Sequence, residues 1–143
     1  MISGAGNPVG SSNPAGIGTS INYIGNHAYA TSGSFADTQA QVSMLKFNTG
    51  NSYIVGKFVF FGSTHTDQSA GSIGAGNTNN FQILMDGQTV AVVKTETQQE
   101  DMPTEVVIPM LLPPNTNVEI KVVAAAAATD FSTQVTFVGR VYN

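Results

Sequence analysis

The sequence predicts an all-β protein, an antiparallel β-sandwich carrying an extended N-terminal arm. Three observations predict it. Apolar and polar residues alternate at period two along most of the 143 residues, and helical periodicity is almost absent. Turn-forming clusters interrupt the alternation at short intervals, among them Asn48-Thr49-Gly50-Asn51, Pro113-Pro114-Asn115 and the long stretch 69–80. One run, Tyr53 to Phe61, is apolar on both of its faces, which a strand tolerates only when both faces are covered.

The elements follow in chain order. Residues 1–20 hold five glycines, two prolines and no charge, and only Ile2, Val9 and Ile17 offer sizeable apolar anchors. Asn7-Pro8-Val9-Gly10 and Asn13-Pro14-Ala15-Gly16 repeat one turn, with Pro at i+1 and Gly at i+3 of type I geometry. This stretch reads as an extended attachment arm, with a frayed terminus as the alternative. The folded domain is expected over 21–143, with weaker strands at Ile21–Ala30, Gln41–Phe47 and Thr104–Ile108.

Phe81 to Lys94 is the clearest hairpin. Asp86-Gly87 supplies the two positive-φ positions of a type I′ turn. That turn pairs Met85 with Gln88, Ile83 with Val90 and Phe81 with Val92 on one face, and Leu84 with Thr89 and Gln82 with Ala91 on the other. Val118, Ile120 and Val122 alternate with Glu119 and Lys121, and Val135, Phe137 and Val141 alternate with Gln134, Thr136 and Arg140. Five alanines, Ala124 to Ala128, are too few to nucleate a helix and read as a packed loop or strand end.

In Tyr53 to Phe61, Tyr53, Val55, Val59 and Phe61 share one face; Ile54, Phe58 and Phe60 share the other. In a two-layer sandwich one face meets the core, so the second needs its own cover. That cover is a loop or extra strand folded over it, or a subunit interface, where aromatic residues are enriched.

Four segments carry a family resemblance. Gly56-Lys57-Phe58-Val59-Phe60 resembles the G-x-Y-x-F strand of the tumour necrosis factor-like and globular complement-head superfamily. Asp86-Gly87 falls where that family has an Asn-Gly hairpin. Leu112 to Val118 lies in register with its L-x-x-G-D-x-V, Asn115-Thr116 standing for Gly-Asp. Phe137-Val138-Gly139-Arg140-Val141 is similar to F-x-G-x-L. The four come in the family's order over about residues 41–142. The resemblance implies a ten-strand jelly roll packed as a homotrimer around aromatics near the three-fold axis, with Tyr53, Phe58, Phe60 and Tyr142 as its interface. Bacteriophages are similar in using trimeric jelly rolls as capsid decorations and fibre heads.

Bulk properties narrow the function classes. Only 10% of residues are charged, against roughly 25% in an average soluble domain, and the first is Asp37. Such a surface suits a member of a large assembly better than a freely diffusing enzyme. Four lysines, one arginine and a net charge of −4 leave no basic patch for nucleic acid. No cysteine is present, which removes disulfides and thiolate metal sites. A signal-peptide pattern is not found at the N-terminus, and the longest apolar run, Val122 to Ala128, is far below the ~20 residues of a membrane helix.

Candidates for chemistry are few. Ser63, His65 and Asp67 alternate, but on a strand i and i+2 side chains stand ~7 Å apart, too far for a triad, and Gly62 to Gln68 reads as a surface turn. His27 beside Tyr29 reads as a strand residue at an edge or interface. Gly71 to Gly76 lacks the Lys-Ser/Thr of a phosphate loop. Asp67, Asp101 and Asp130 follow no calcium-loop spacing. The sequence therefore predicts no enzyme, no cofactor and no metal. It predicts a virion structural protein at the capsid surface: a decoration, or cement, protein that binds itself and the major capsid protein, neither nucleic acid nor membrane. Ile2, Asn7, Pro8, Val9, Asn13, Pro14 and Ile17 of the arm make the capsid contact. The head of a viral fibre and a carbohydrate-binding module are the rival readings.

Overall fold

The computed structural model describes residue 18 and residues 21–65, 78–96, 105–125 and 128–142. Ten strands form two antiparallel sheets: β1 (Asn22–Ile24), β2 (His27–Thr31), β3 (Phe35–Asp37), β4 (Val42–Asn48), β5 (Tyr53–His65), β6 (Thr78–Met85), β7 (Gln88–Glu96), β8 (Glu105–Leu112), β9 (Asn117–Ala124) and β10 (Ala128–Tyr142). No helix occurs among the described residues.

The first sheet runs β1-β2-β10-β5-β8, with β3 beside β10 beyond the end of β2; the second runs β4-β9-β6-β7. From β4 onward every connection crosses between the sheets except the β6–β7 hairpin. A sandwich with that winding is a jelly roll.

The core lies between the sheets and is aromatic at its centre. Phe58, Phe60 and Phe137 descend from the first sheet, Phe47 and Phe81 from the second. Phe58 and Phe137 approach to 4.7 Å between ring centroids, and Phe60 meets Phe81 across the sheets at 4.9 Å. The tilts of 48° and 49° suit edge-on packing. Ile54, Ile83, Ile120 and Val135 complete the layer with no exposed surface.

Room for Phe137 comes from two glycines. Gly56 and Gly139 are directly opposed on β5 and β10. A Cβ on Gly56 would collide with the Val138 carbonyl and stand 2.7 Å from the Phe137 ring; one on Gly139 would meet Ile54 at 2.6 Å and the same ring at 2.9 Å. The ring lies where two side chains are missing. The glycines of two of the resemblance motifs thus have a shared packing cause.

The hairpin differs from its sequence register. Asp86 and Gly87 take φ values of 49° and 80°, and Met85↔Gln88 and Leu84↔Thr89 pair as expected. A β-bulge at Val90 then shifts the ladder, so Ile83 faces Ala91, Gln82 faces Val92 and Phe81 faces Val93. Without the bulge the inward row would run Val90, Val92, Lys94 and drive an ammonium into the core. With it, Val93 and Thr95 are buried and Lys94 is exposed.

Other boundaries moved for local reasons. Ile21–Ala30 is a hairpin, β1 and β2 folding back at Gly25-Asn26, rather than one strand. β5 continues to His65, so the start of the expected turn at Gly62–Gln68 is strand. β8 runs past Pro109 to Leu112 because it is an edge strand paired only with β5, and an edge tolerates a missing N–H.

The segment before Ile21 is tied to both layers. Gly18 donates its N–H to the Thr31 carbonyl of β2 at 2.6 Å, and its carbonyl accepts the Lys46 N–H of β4 at 2.8 Å. Among the described residues the first fastening lies at Gly18, inside the range 1–20 assigned to the arm. The arm residues Ile2, Asn7, Pro8, Val9, Asn13, Pro14 and Ile17 lie outside the described residues.

Candidate interaction face

Pairing aligns the first sheet's outward residues into lateral rows. One row reads Ile24, His27, Arg140, Val55, Leu111 across β1, β2, β10, β5 and β8. The next reads Asn22, Tyr29, Val138, Lys57, Pro109, and the third Thr31, Thr136, Val59, Val107. Gln134, Phe61 and Glu105 close one end of the face; Tyr142 and Tyr53 close the other.

Among the described residues nothing covers this outer face, and it carries several exposed apolar side chains. Tyr53, Tyr142, Val55, Val107 and Leu111 each expose between 38% and 52% of their surface, and Ile24 exposes 69%. Tyr53 and Tyr142 stack at 5.5 Å with an 11° interplanar angle, because they are direct partners on adjacent strands. The Arg140 guanidinium lies 5.5 Å from the centre of the Tyr142 ring, a cation–π contact that holds it along the sheet.

The second sheet's outer face has a different chemistry. Lys46, Lys94 and Lys121, three of the four lysines, lie there with Glu119, Gln82 and Asn80, each between inward neighbours. Lys46 reaches Glu119 at 3.9 Å. Val92, opposite Gln82, and Val90 at the bulge are also exposed on β7, while the first sheet's outer face holds the larger number of exposed aromatic and aliphatic side chains.

Tyr53 and Tyr142, two of the residues expected at a trimer interface, are partly exposed on this outer face. Phe58 and Phe60 are not. Both are 0% exposed within a single chain, pointing between the sheets where Phe137 and Phe81 hold them. The expected interface set therefore divides between two faces, Phe58 and Phe60 on the one turned inward and Tyr53 and Tyr142 on the one turned outward. A sequence cannot say which apolar face of a doubly apolar strand turns inward; the contacts of Phe58 with Phe137 and of Phe60 with Phe81 do. Leu111 and Val107 were missed because Pro109 hid the alternation of Val107, Pro109 and Leu111.

Candidates for chemistry remain scattered. Ser63 and His65 are two residues apart on β5, and Asp67 is outside the described residues, as are Asp101 and the Gly71–Gly76 run. His27 is exposed on β2, its ring 6.4 Å from Tyr29. Among the described residues no cluster of three His, Cys, Asp or Glu side chains could hold a metal ion. Burial pushes the Tyr23 hydroxyl above the usual tyrosine range, the neighbouring Gly50 backbone pulling the other way.

No family model matches the chain, and no curated protein does. Two solved structures are similar to it, one of the infectious bursal disease virus VP2 subviral particle and one of the infectious bursal disease virus Gx strain. For the subviral particle the TM-score is 0.45 at 13% identity, covering 80% of this chain and 32% of that one. For the Gx strain the TM-score is 0.38 at 15% identity, covering 82% and 36%. The chain spans about a third of the length of those it matches.

Proposed function

We propose that this is a virion structural protein, a capsid decoration protein that self-associates, as a homotrimer, through the outer face of its β5 sheet. The observation that carries the reading is the contrast between the two outer faces. A chain with so few charges has placed three of its lysines on one face and its exposed tyrosines, Val55, Val107 and Leu111 on the other. Five strands at ~4.8 Å spacing and rows at ~6.8 Å make a plate of roughly 20 by 25 Å, the order of size one partner contributes to a stable interface. Burying the plate against other copies removes apolar surface from water at about 25 cal/mol per Å².

The arm at residues 1–17 then reaches the major capsid protein. Having no charged side chain, it leaves no ion unpaired on a neighbour's surface. The carbohydrate-module reading is weakened by the tyrosines, since each already spends one ring face on the other.

The test has two arms. Leu111→Asp should abolish association while circular dichroism stays native, and mass spectrometry of purified virions should count hundreds of copies per particle. A chain that stays monomeric at high micromolar concentration would remove the interface, and absence from virions would remove the function.

A further inference from the structure

The interaction face carries charge of one sign at its tyrosine end. Arg140 is the direct cross-strand partner of His27, and Lys57 lies one row away, opposite Val138. All three side chains are exposed. The groups that face His27 can be named strand by strand. β1 offers Asn22 and Ile24, β2 offers Tyr29, β10 offers Arg140 and Tyr142, and β5 offers Tyr53 and Lys57. The face's carboxylate, Glu105 of β8, pairs with Phe61 at the opposite end. No acid described on this face stands beside His27 to reward its protonation.

We propose that the His27–Arg140 pair makes association through this face sensitive to pH, neutral His27 permitting it and protonated His27 opposing it. The proposal rests on the self-association reading above. In its neutral form the imidazole lies beside Tyr29 as an aromatic surface. Protonation of the imidazole on acidification sets a second cation directly opposite Arg140. Like charges directly opposed on adjacent strands repel even in water. Covered by another copy, they lose the solvent that screens them, and the repulsion grows. A virion protein with such a pair would hold its neighbours in neutral medium and release them in acid.

Sedimentation equilibrium on the full chain, at about pH 7.5 and pH 5.5, tests this across the histidine range. The wild type should associate on the order of tenfold more weakly at the lower pH, a change that one like-charge contact in a covered site supplies. His27→Gln should associate equally at both, and His27→Arg weakly at both, with native circular dichroism throughout. His65→Gln should keep the wild-type response. Association indifferent to pH, or a His27→Gln variant that keeps the response, would overturn the switch and leave self-association standing. A wild type monomeric at both pH values would overturn both.

Discussion

Two glycines opposite each other set the most sensitive point of this core. Gly56 and Gly139 leave the space in which the Phe137 ring lies, and a methyl group on either would press on that ring or on fixed backbone. Gly56→Ala should be the worse of the two, because the atom it meets first is the Val138 carbonyl, which cannot rotate away. Overpacking of this kind costs typically 1–3 kcal/mol, and urea unfolding of the two variants should rank Gly56→Ala below Gly139→Ala. Tyr23 gives a second residue-scale test. Burial raises its folded-state pKa above the unfolded value of about 10, so its contribution to stability is whole below pH 10. That contribution is lost as pH rises through the folded pKa, because only the unfolded chain ionises readily. Thermal melts of the wild type should drop above about pH 10 more steeply than those of Tyr23→Phe, followed by ultraviolet difference spectroscopy.

β5 is the element on which fold and function meet, and its two faces should answer mutation differently. Phe60→Ala opens a cavity against Phe58 and Phe81 and should cost about 3–5 kcal/mol in denaturant. Tyr53→Ala, on the other face, removes a half-exposed ring from the Tyr142 stack and should change monomer stability by less than about 1 kcal/mol while weakening association. The same comparison shows what the sequence could carry. Alternation alone located the inward rows of β9 and β10, and Asp86-Gly87 located the hairpin turn, because both are written within a few residues. The bulge at Val90 was not legible in that way. Its cause is the conflict between turn register and Lys94, which appears only when the pairing is followed six residues from the turn. β3 was missed for a related reason: Phe35–Asp37 is three residues long, held by β10 rather than by its own pattern. The outward apolar face of β5 was legible as an apolar surplus, but not its direction, since both faces carry aromatics.

At the scale of the whole molecule, the boundary between arm and domain decides how the arm can be tested. Gly18 joins β2 to β4 by one hydrogen bond to each, so it closes the seam between the two sheets at the free edge of β4. Removing residues 1–16 spares both bonds. Removing residues 1–20 deletes them and leaves the Thr31 carbonyl and the Lys46 N–H to water, at about 0.5–1.5 kcal/mol for each net hydrogen bond. The shorter truncation should therefore melt with the full-length protein, and the longer one lower by several degrees. Both should still associate through the β5 sheet, because Tyr53, Leu111 and Tyr142 are untouched. Particle binding is where the shorter truncation should differ from the full chain. If the arm holds the capsid, occupancy on stripped particles should fall although fold and association are intact. The arm's share should also vary little between low and high salt, since the segment has no charged side chain to screen. Equal occupancy with and without residues 1–16 would assign capsid binding to the jelly roll itself, and its lysine-bearing outer face would become the surface to mutate next.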